Sequence, residues 1–280
     1  MSHIISIITP TYNCESYIYA CLESVRSQGL SDKVKHIVID GGSKDETCNI
    51  IRSFANVDLV SESDDGQSDA FNKGIILAKG EWIMILDGDD ILLPNSLSKY
   101  INLIEKKSPD IIYGHQCFIN EDANIIKTNI SVKYKKRYVQ NHLYLPPSSG
   151  LCLRSSLIKN QLFDINHHYN MDTEWFLRYP GKISSGVIPT PTTGFRVWQG
   201  SKTYSLTSKY SSQAEDNISE EITKEREILD KKYYAPYRKH LSKKYTIYSK
   251  LIPKLIKVDY LINKVYMKTK YLIIKLIKGI

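Results

Sequence analysis

Residues 81–90 read Glu-Trp-Ile-Met-Ile-Leu-Asp-Gly-Asp-Asp, an apolar run that three carboxylates close. The run Glu81–Leu86 predicts a buried strand. In open α/β sheets, ligands bind where strands end, so this strand would present Asp87, Asp89 and Asp90 to a ligand. Three neighbouring acids raise one another's pKa unless a cation lies among them. Because Mg²⁺ binds one or two carboxylates and completes its shell with phosphates, we expect a metal-assisted site for a nucleoside diphosphate.

Strand and helix patterns alternate at short intervals through the first 116 residues. The strand patterns are His3–Thr9, Val34–Asp40, Val57–Glu62, Glu81–Asp87 and Asp110–Gln116. The helical patterns between them are Glu15–Ser27, Ser43–Phe54, Ser68–Ala78 and Asn95–Lys106. This order predicts an α/β fold with a Rossmann-like, mainly parallel sheet and helices on both faces.

The alternation fades beyond about residue 117. Met171–Tyr179 predicts a helix, Ile188–Gly200 an irregular segment, and Ser211–Lys232 a polar surface helix. We expect one domain over residues 1–210 and a helical, basic, amphipathic C-terminal extension over 211–280. Within the domain, 1–116 would form the nucleotide-binding half and 117–210 the acceptor-binding half.

The charge is distributed unevenly along the chain. The net charge is +8, yet residues 231–280 contain 14 Lys and Arg against the single acid Asp259. The first 230 residues therefore carry 24 basic and 29 acidic side chains, a net of −5. An acidic body with a basic tail calls for two separate explanations.

The cysteines and the apolar stretches indicate a compartment. The five cysteines are scattered and form no Cys-x-x-Cys pair, which argues against disulfides or a thiolate zinc site and fits a reducing cytoplasm. No apolar stretch reaches the roughly 20 residues of a transmembrane helix, and the start lacks a signal-peptide pattern. We expect a cytoplasmic protein.

Two short motifs follow the first two predicted strands. Thr9-Pro10-Thr11-Tyr12-Asn13 leads into the first helix, where backbone N–H groups can meet a nucleotide. Asp40-Gly41-Gly42-Ser43 ends the second strand, and Asp40 would accept hydrogen bonds from a base or a ribose. Taken alone, each motif is equally compatible with an ordinary turn.

A third group lies on the predicted helix Ser68–Ala78. Asp69, Asn72 and Lys73 stand at i, i+3 and i+4 and share one face. A cation and an amide near the edge of a sheet suit a base or a phosphate. The same residues would also make an ordinary solvated surface.

Met171-Asp172-Thr173-Glu174-Trp175 places two carboxylates ahead of an aromatic residue. Asp172 would be either a helix N-cap with Trp175 in the core or a general base that deprotonates an acceptor hydroxyl. Three motifs are missing: Gly-x-Gly-x-x-Gly after the first strand, Gly-x-x-x-x-Gly-Lys-Ser/Thr, and Gly-x-Ser-x-Gly. Their absence disfavours a dinucleotide dehydrogenase, a P-loop ATPase and a serine hydrolase.

The motifs resemble, in order, those of the family-2 glycosyltransferases. The resemblance rests on Ile7–Asn13, Ile39–Ser43, Ala78–Glu81 and Leu86–Asp90, and it covers roughly residues 3–200. It implies the GT-A fold and an inverting transfer of a sugar from a nucleotide-diphosphate sugar. The Gln-x-x-Arg-Trp signature of processive synthases is missing, so a single sugar would be added per encounter.

The resemblance also implies roles for individual residues. Asp40 would contact the nucleotide base, and Asp87-Gly88-Asp89 is the Asp-x-Asp motif. Asp87 would bind on the ribose side, and Asp89 would bind Mn²⁺ or Mg²⁺ bridging the diphosphate. Asp172 falls where the family places its general base, with Glu174 as the rival. Phe195–Ser201 resembles a loop that closes near the leaving diphosphate.

The C-terminal segment shows a helical pattern of its own. An apolar stripe recurs at helical spacing between flanking lysines: Leu251, Leu255, Val258, Ile262, Val265, Leu272 and Leu276. Such a helix suits the surface of an anionic membrane, although it would also suit docking on the acidic body of its own chain. The regular apolar spacing disfavours nucleic acid as the partner.

These patterns together predict a metal-dependent inverting glycosyltransferase, peripheral on the cytosolic face of the inner membrane. The acceptor would be a saccharide or a lipid-linked saccharide in cell-surface polysaccharide synthesis. Two alternatives remain: a nucleotidyltransferase that makes sugar nucleotides, and a non-catalytic, membrane-docked adaptor that keeps the nucleotide fold.

Overall fold

The computed structural model describes residues 3–201, 222–237 and 251–278. Its strands are β1 (Ile5–Thr11), β2 (Val34–Asp40), β3 (Val57–Ser61), β4 (Trp82–Ile85), β5 (Ile91–Leu92), β6 (Ile111–Ile119), β7 (Ile125–Asn129), β8 (Cys152–Arg154) and β9 (Ser185–Arg196). Its helices are α1 (Ile18–Arg26), α2 (Thr47–Arg52), α3 (Gln67–Leu77), α4 (Ser96–Lys107), α5 (Lys136–Val139), α6 (Ser155–Lys159), α7 (Met171–Arg178), α8 (222–237) and α9 (Leu251–Lys278). The five strands and four helices expected before residue 117 are all present.

The strands form one sheet in the order β3-β2-β1-β4-β8-β6-β9-β5, with β7 paired to β6. The first four positions, β3-β2-β1-β4, are parallel, as predicted for the nucleotide-binding half. The second half is mixed, because β8 runs antiparallel between β4 and β6 while β6 and β9 are parallel.

Helices cover both faces of this sheet, because the strand residues alternate between two cores. In β4, Trp82 and Met84 pack into one hydrophobic core with α1 and α4, while Ile83 and Ile85 pack into the other with α3 and α7. Successive strand side chains point to opposite faces, so a wholly apolar strand is buried on both sides. The continuous apolar run therefore marks a central strand.

The structure contradicts two expectations from the sequence. The segment Ile188–Gly200, expected to be irregular, is largely strand β9, which pairs with β6 and β5. The described part of Ser211–Lys232 is helical but not a polar surface helix. Ile222 and Leu229 are buried, and Leu229 and Tyr234 belong to the core that contains Trp175. Residues 202–221 lie outside the described part of the chain.

Helix α9 packs on the domain through one face. Ile256 and Met267 are buried with Val132 and Tyr138, and the Tyr260 ring lies 5.5 Å from that of Tyr138. Asp259, the acid of the basic tail, accepts a hydrogen bond from Lys135 at 2.9 Å and another from Tyr138 at 2.7 Å. Burial alone would raise the pKa of Asp259, but these hydrogen bonds, a third from Arg137 and the Arg137 charge hold it far below its usual value. Docking on the chain's own domain, which the sequence left open as the alternative to a membrane surface, is therefore present on this face of α9.

A second face of α9 is apolar and exposed. Ile262 and Val265 are each 64% exposed, and Val258, Leu261, Tyr266 and Leu272 are exposed beside them. Lys257, Lys264 and Lys268 are exposed on the same helix. Within the described residues, no helix combines the length and apolarity needed to cross a bilayer.

Candidate active site

The carboxyl ends of β1, β2 and β4 meet at one edge of the sheet. Thr11 at the end of β1 is in register with Asp40 at the end of β2, and Ile8 is in register with Ile85 of β4. A cleft of about 510 Å³ opens beside this edge. Eight predicted residues line it: Pro10, Thr11, Tyr12, Asn13, Asp87, Gly88, Asp89 and Asp172.

Gly88 allows the acidic loop to approach the end of β1. A Cβ at this position would lie 3.0 Å from Thr11 Oγ1 and 3.1 Å from the Pro10 carbonyl oxygen. The contact is therefore tighter than a side chain normally tolerates, and it places Asp87 and Asp89 beside the segment Pro10–Asn13.

Each acid of the Asp-x-Asp motif accepts a hydrogen bond from another element. Gln67 Nε2, at the start of α3, donates to Asp87 Oδ1 at 2.7 Å. The Trp198 indole N–H donates to Asp89 Oδ2 at 2.8 Å. Burial raises the pKa of Asp89, against the lowering effect of Trp198. Both carboxylates are thus held in place within the cleft.

Asp90 has a structural role behind the motif. It is fully buried, and its Oδ1 accepts the backbone N–H of Arg196 at 2.7 Å. Burial and the charges of Asp89 and Asp87 raise the pKa of Asp90 well above its usual value. Its Oδ2 has no hydrogen-bond partner in the structure.

Arg196 is the last residue of β9 and Trp198 follows it, and both line one side of the cleft. The ring centroids of Trp198 and Tyr17 are 5.1 Å apart, and the Arg196 guanidinium lies 4.7 Å from the Tyr17 centroid. Arg196 also donates to the Asp89 carbonyl oxygen at 2.8 Å. The resemblance indicated this loop, but Trp198 and Gln67 were not among the predicted site residues. Gln67 lies just before the predicted helix Ser68–Ala78, and Trp198 lies in the loop Phe195–Ser201. Each carries an N–H group that can donate to an acid at the edge of the sheet.

Asp172 lies in the first turn of α7, two residues beyond the N-cap Asn170. It lines the cleft, and its Oδ1 accepts the Thr173 N–H at 2.6 Å. Burial raises the pKa of Asp172 to about 6, with the Thr173 hydrogen bonds acting against it. A partly desolvated carboxylate of this kind is a competent proton acceptor near neutral pH.

Glu174, the rival acid, does not line the cleft. It is fully buried, and Arg178 Nε donates to both of its oxygens at 2.8 and 2.9 Å. The Tyr233 hydroxyl donates a further hydrogen bond at 2.7 Å. The geometry therefore makes Glu174 part of a buried ion pair and leaves Asp172 as the acid of α7 that reaches the cleft.

Asp40 also lies outside the residues that line the cleft. It is fully buried, and its Oδ2 accepts hydrogen bonds from the Ser61 hydroxyl at 2.7 Å and from the Ser43 N–H at 3.0 Å. Burial alone would raise its pKa, but hydrogen bonds from Ser43, Ser61 and Cys48 lower it below the usual value. The carboxylate therefore stabilises the turn after β2 through these hydrogen bonds.

The predicted group on α3 is likewise directed away from the cleft. Asn72 is buried and exchanges two hydrogen bonds of 2.9 Å with the Phe163 backbone. Lys73 forms ion pairs with Glu62 at 3.0 Å and with Asp69 at 3.3 Å. These contacts fix α3 to its neighbours.

A carboxylate from α8 supports the loop before Asp172. Glu225 is buried and accepts backbone N–H groups of His168 at 2.7 Å, Tyr169 at 3.2 Å and Asn170 at 3.0 Å. His168 and Tyr169 line the cleft. Helix α8 thus supplies the acceptor that the N-terminus of α7 requires.

Comparisons with known proteins find glycosyltransferases among the proteins similar to this chain. An uncharacterized glycosyltransferase of Methanocaldococcus jannaschii is 29% identical over 187 residues, which cover 62% of this chain and 64% of that protein. Glycosyltransferase GlyG of Streptococcus pneumoniae is 33% identical over 120 residues, covering 41% of this chain and 40% of GlyG. The chain thus spans less than two thirds of the length of either relative.

The fold is also that of a solved structure. A crystal structure of S. aureus TarS in complex with UDP-GlcNAc matches with a TM-score of 0.58 and 17% identity, covering 76% of this chain and 70% of the other. This likeness confirms the predicted α/β, GT-A fold. A family model described as glycosyl transferase family 2 matches residues 6–165, more than half of the chain. The chain therefore belongs to glycosyl transferase family 2.

Proposed function

We propose that this protein transfers a single sugar from a nucleoside-diphosphate sugar to an acceptor hydroxyl, with inversion at the anomeric carbon. The observation that carries the proposal is that Asp87, Asp89 and Asp172 line one cleft. The first two come from the end of β4, and the third comes from the start of α7. This arrangement places two acids that can hold a cation for the diphosphate and one candidate base in the same cleft.

The donor proposal draws on the fold and on the loop after β1. TarS, which shares the fold, was crystallised with UDP-GlcNAc. The segment Pro10–Asn13 lines the cleft where β1 ends, so its backbone can contact a nucleotide. A nucleoside diphosphate bound there would lie beside the Asp87–Asp89 loop.

Asp87 and Asp89 fit a divalent cation such as Mn²⁺ or Mg²⁺. Within the described residues, no group of three or more His, Cys, Asp or Glu side chains is arranged to hold a metal alone. Two carboxylates suffice, however, because Mg²⁺ completes its shell with substrate phosphates and water. When bound, such a cation would neutralise charge on the departing diphosphate.

Asp172 would act on the acceptor. A pKa of about 6 leaves its carboxylate mostly ionised at neutral pH, and partial burial strengthens it as a base. It would accept the proton of the acceptor hydroxyl while that oxygen attacks the anomeric carbon and the bond to the diphosphate breaks. A single displacement with one base inverts the configuration.

The membrane proposal rests on α9. Its exposed apolar face, together with exposed lysines, suits the surface of an anionic bilayer. The protein would then work peripherally at the cytosolic face of the inner membrane. Its acceptor would be a saccharide, lipid-linked in that setting, used in cell-surface polysaccharide synthesis.

The function is tested by nucleotide binding followed by donor hydrolysis. A thermal-shift panel of UDP, GDP, dTDP and CMP, with and without Mn²⁺, identifies the nucleotide through ligand stabilisation. Hydrolysis of the matching sugar nucleotide should then depend on Mn²⁺ and disappear in Asp89→Asn. The exposed Asp122→Asn is the control for the charge change. An adaptor would show no hydrolysis to lose, and a nucleotidyltransferase would form sugar nucleotide from a nucleoside triphosphate.

A further inference from the structure

A second cavity, of about 790 Å³, lies beside the first turn of α7. Its walls come from the segment after α5, from α8, and from Asn170 and Thr173 of the α7 N-terminus. Asn170 and Thr173 flank Asp172, which lines the candidate active site. The volume falls within the ~300–1,000 Å³ typical of small-molecule sites. The two cavities therefore lie side by side at the turn that carries Asp172.

One wall of this cavity is aromatic. The rings of His142 and Tyr234 lie 3.9 Å apart at their centroids and are inclined by 30°. His142 has a left-handed backbone with φ of +52°, a conformation that costs free energy in a residue other than glycine. Tyr234 is buried whereas His142 is exposed, so the His142 ring is the accessible aromatic surface of this wall. Such a surface suits the C–H face of a sugar, since an aromatic face is electron-rich.

The polar part of the lining is balanced in charge. It has two cations and two anions, Arg226, Lys231, Glu227 and Asp230, together with the amide of Asn170. Such a lining gives no net preference for an anion or a cation. A lining that contains both hydrogen-bond donors and acceptors suits a neutral, polyhydroxylated ligand.

A π-helical turn shapes the α8 wall. Residues Asp230–Tyr234 form this turn within an otherwise α-helical segment, and Asp230, Lys231 and Tyr234 line the cavity. Single π turns inside α-helices are rare and are frequently found at functional sites. Burial, and then the charges of Asp172 and Asp230, raise the pKa of Tyr234 to about 12. Asp172 thus lies within electrostatic reach of the cavity wall.

From these contacts we propose that the cavity between α5, α7 and α8 binds the acceptor saccharide beside the turn that carries Asp172. The proposal rests on the proposed function. It also fits the position of α9, because Tyr144 lines the cavity and packs against Tyr260 of that helix, with ring centroids 6.3 Å apart. A saccharide on a lipid carrier would therefore be bound next to the helix proposed to meet the membrane.

The test fills the cavity from an exposed position. Thr223 is exposed and lines the cavity, so Thr223→Trp blocks it without removing a core side chain. Ile228→Trp, on the same helix and 50% exposed, lies outside the cavity lining and is the matched control. Binding of the octyl β-glycosides of glucose, galactose and N-acetylglucosamine is measured by saturation-transfer difference NMR.

We expect the wild type and Ile228→Trp to bind at least one glycoside, and Thr223→Trp to bind it about tenfold more weakly or not at all. Absence of glycoside binding by the wild type, or unchanged binding by Thr223→Trp, overturns the proposal. The nucleotide thermal-shift panel is run on all three proteins. A nucleotide shift that persists while glycoside binding fails the test refutes the acceptor cavity alone, whereas loss of any nucleotide shift in the wild type refutes the proposed function.

Discussion

Glu225 of α8 accepts the backbone N–H of Asn170, the N-cap of α7, at 3.0 Å. The same carboxylate also accepts N–H groups of His168 and Tyr169, so three successive amides converge on one buried acid. An anion at a helix N-terminus is favourable, because the N–H groups there lack helical partners and carry partial positive charge. A segment distant in sequence thus fixes the turn that carries Asp172.

Glu225→Ala should destabilise the protein by about 1–3 kcal/mol, because buried N–H groups lose their acceptor. It should also lower the rate of sugar transfer, since the Asp172 turn is no longer held. Glu225→Gln, which keeps one acceptor oxygen, should lose less of both. Urea unfolding and steady-state kinetics measure the two effects. Glu227→Gln, exposed on the same helix, is the control for stability, and equal stability of Glu225→Ala and the wild type would contradict the assignment.

The sequence predicts the nucleotide-binding half well because its signals are local. β4 and its closing acids form one continuous pattern, and the strand pairs are parallel neighbours in chain order or close to it. β9 was missed because Pro189 and Pro191 disfavour a strand. Its pairing with β6 shifts register on both sides of His115, which is paired with Pro191. Only the partner strand shows how those prolines fit.

In the candidate site, too, local contacts can be predicted from the sequence and long-range contacts cannot. Glu174 and Arg178 stand at i and i+4, so their ion pair could have been read locally and Glu174 set aside as a base. The hydrogen bond between Trp198 and Asp89 joins residues that are 109 positions apart in the sequence. The hydrogen bonds between Asn72 and Phe163 join residues that are 91 positions apart. Such contacts depend on how β9 and the loop before α7 return to the sheet, which no local pattern encodes.

Trp198→Phe should weaken Mn²⁺-dependent binding of the nucleoside diphosphate several-fold. The variant keeps the ring beside Tyr17 but removes the N–H that Asp89 Oδ2 accepts at 2.8 Å. Without that donor, the pKa of Asp89, already raised by burial, rises further. Titration by calorimetry measures the affinity, and Gln199→Ala, an exposed neighbour, is the control. Unchanged affinity in Trp198→Phe would show that the hydrogen bond does not position Asp89.

The rate of sugar transfer should rise with pH through about 6 and then level. Asp172 must be ionised to accept a proton, and its pKa is raised to about 6 by burial. Asp172→Asn should lower the rate by at least about 100-fold and remove this limb of the profile. A pH–rate profile over pH 5–8 tests both statements. A limb that survives in Asp172→Asn would assign the titration to another group.

The same raised pKa has a consequence for stability. The folded pKa of Asp172 lies above the unfolded value near 4, so the folded state binds the proton more tightly. Stability contributed at this site is therefore lost as pH rises through 4 to 6. Asp172→Asn should stabilise the protein by about 1–3 kcal/mol at pH 7 and make no difference below about pH 4. Urea unfolding at the two pH values measures this, and the opposite pH trend would refute it.

Ile262→Glu with Val265→Glu should abolish binding of the protein to anionic vesicles. Both side chains are 64% exposed on the free face of α9, so the acids remove apolar surface and add repulsion without disturbing the docked face. Cosedimentation with vesicles of phosphatidylglycerol and phosphatidylcholine measures the bound fraction at low and at physiological salt. Ile126→Glu, at a position 62% exposed on β7, is the matched control and should bind like the wild type. If the double variant still cosediments, α9 does not mediate membrane binding and serves the domain through its docked face alone.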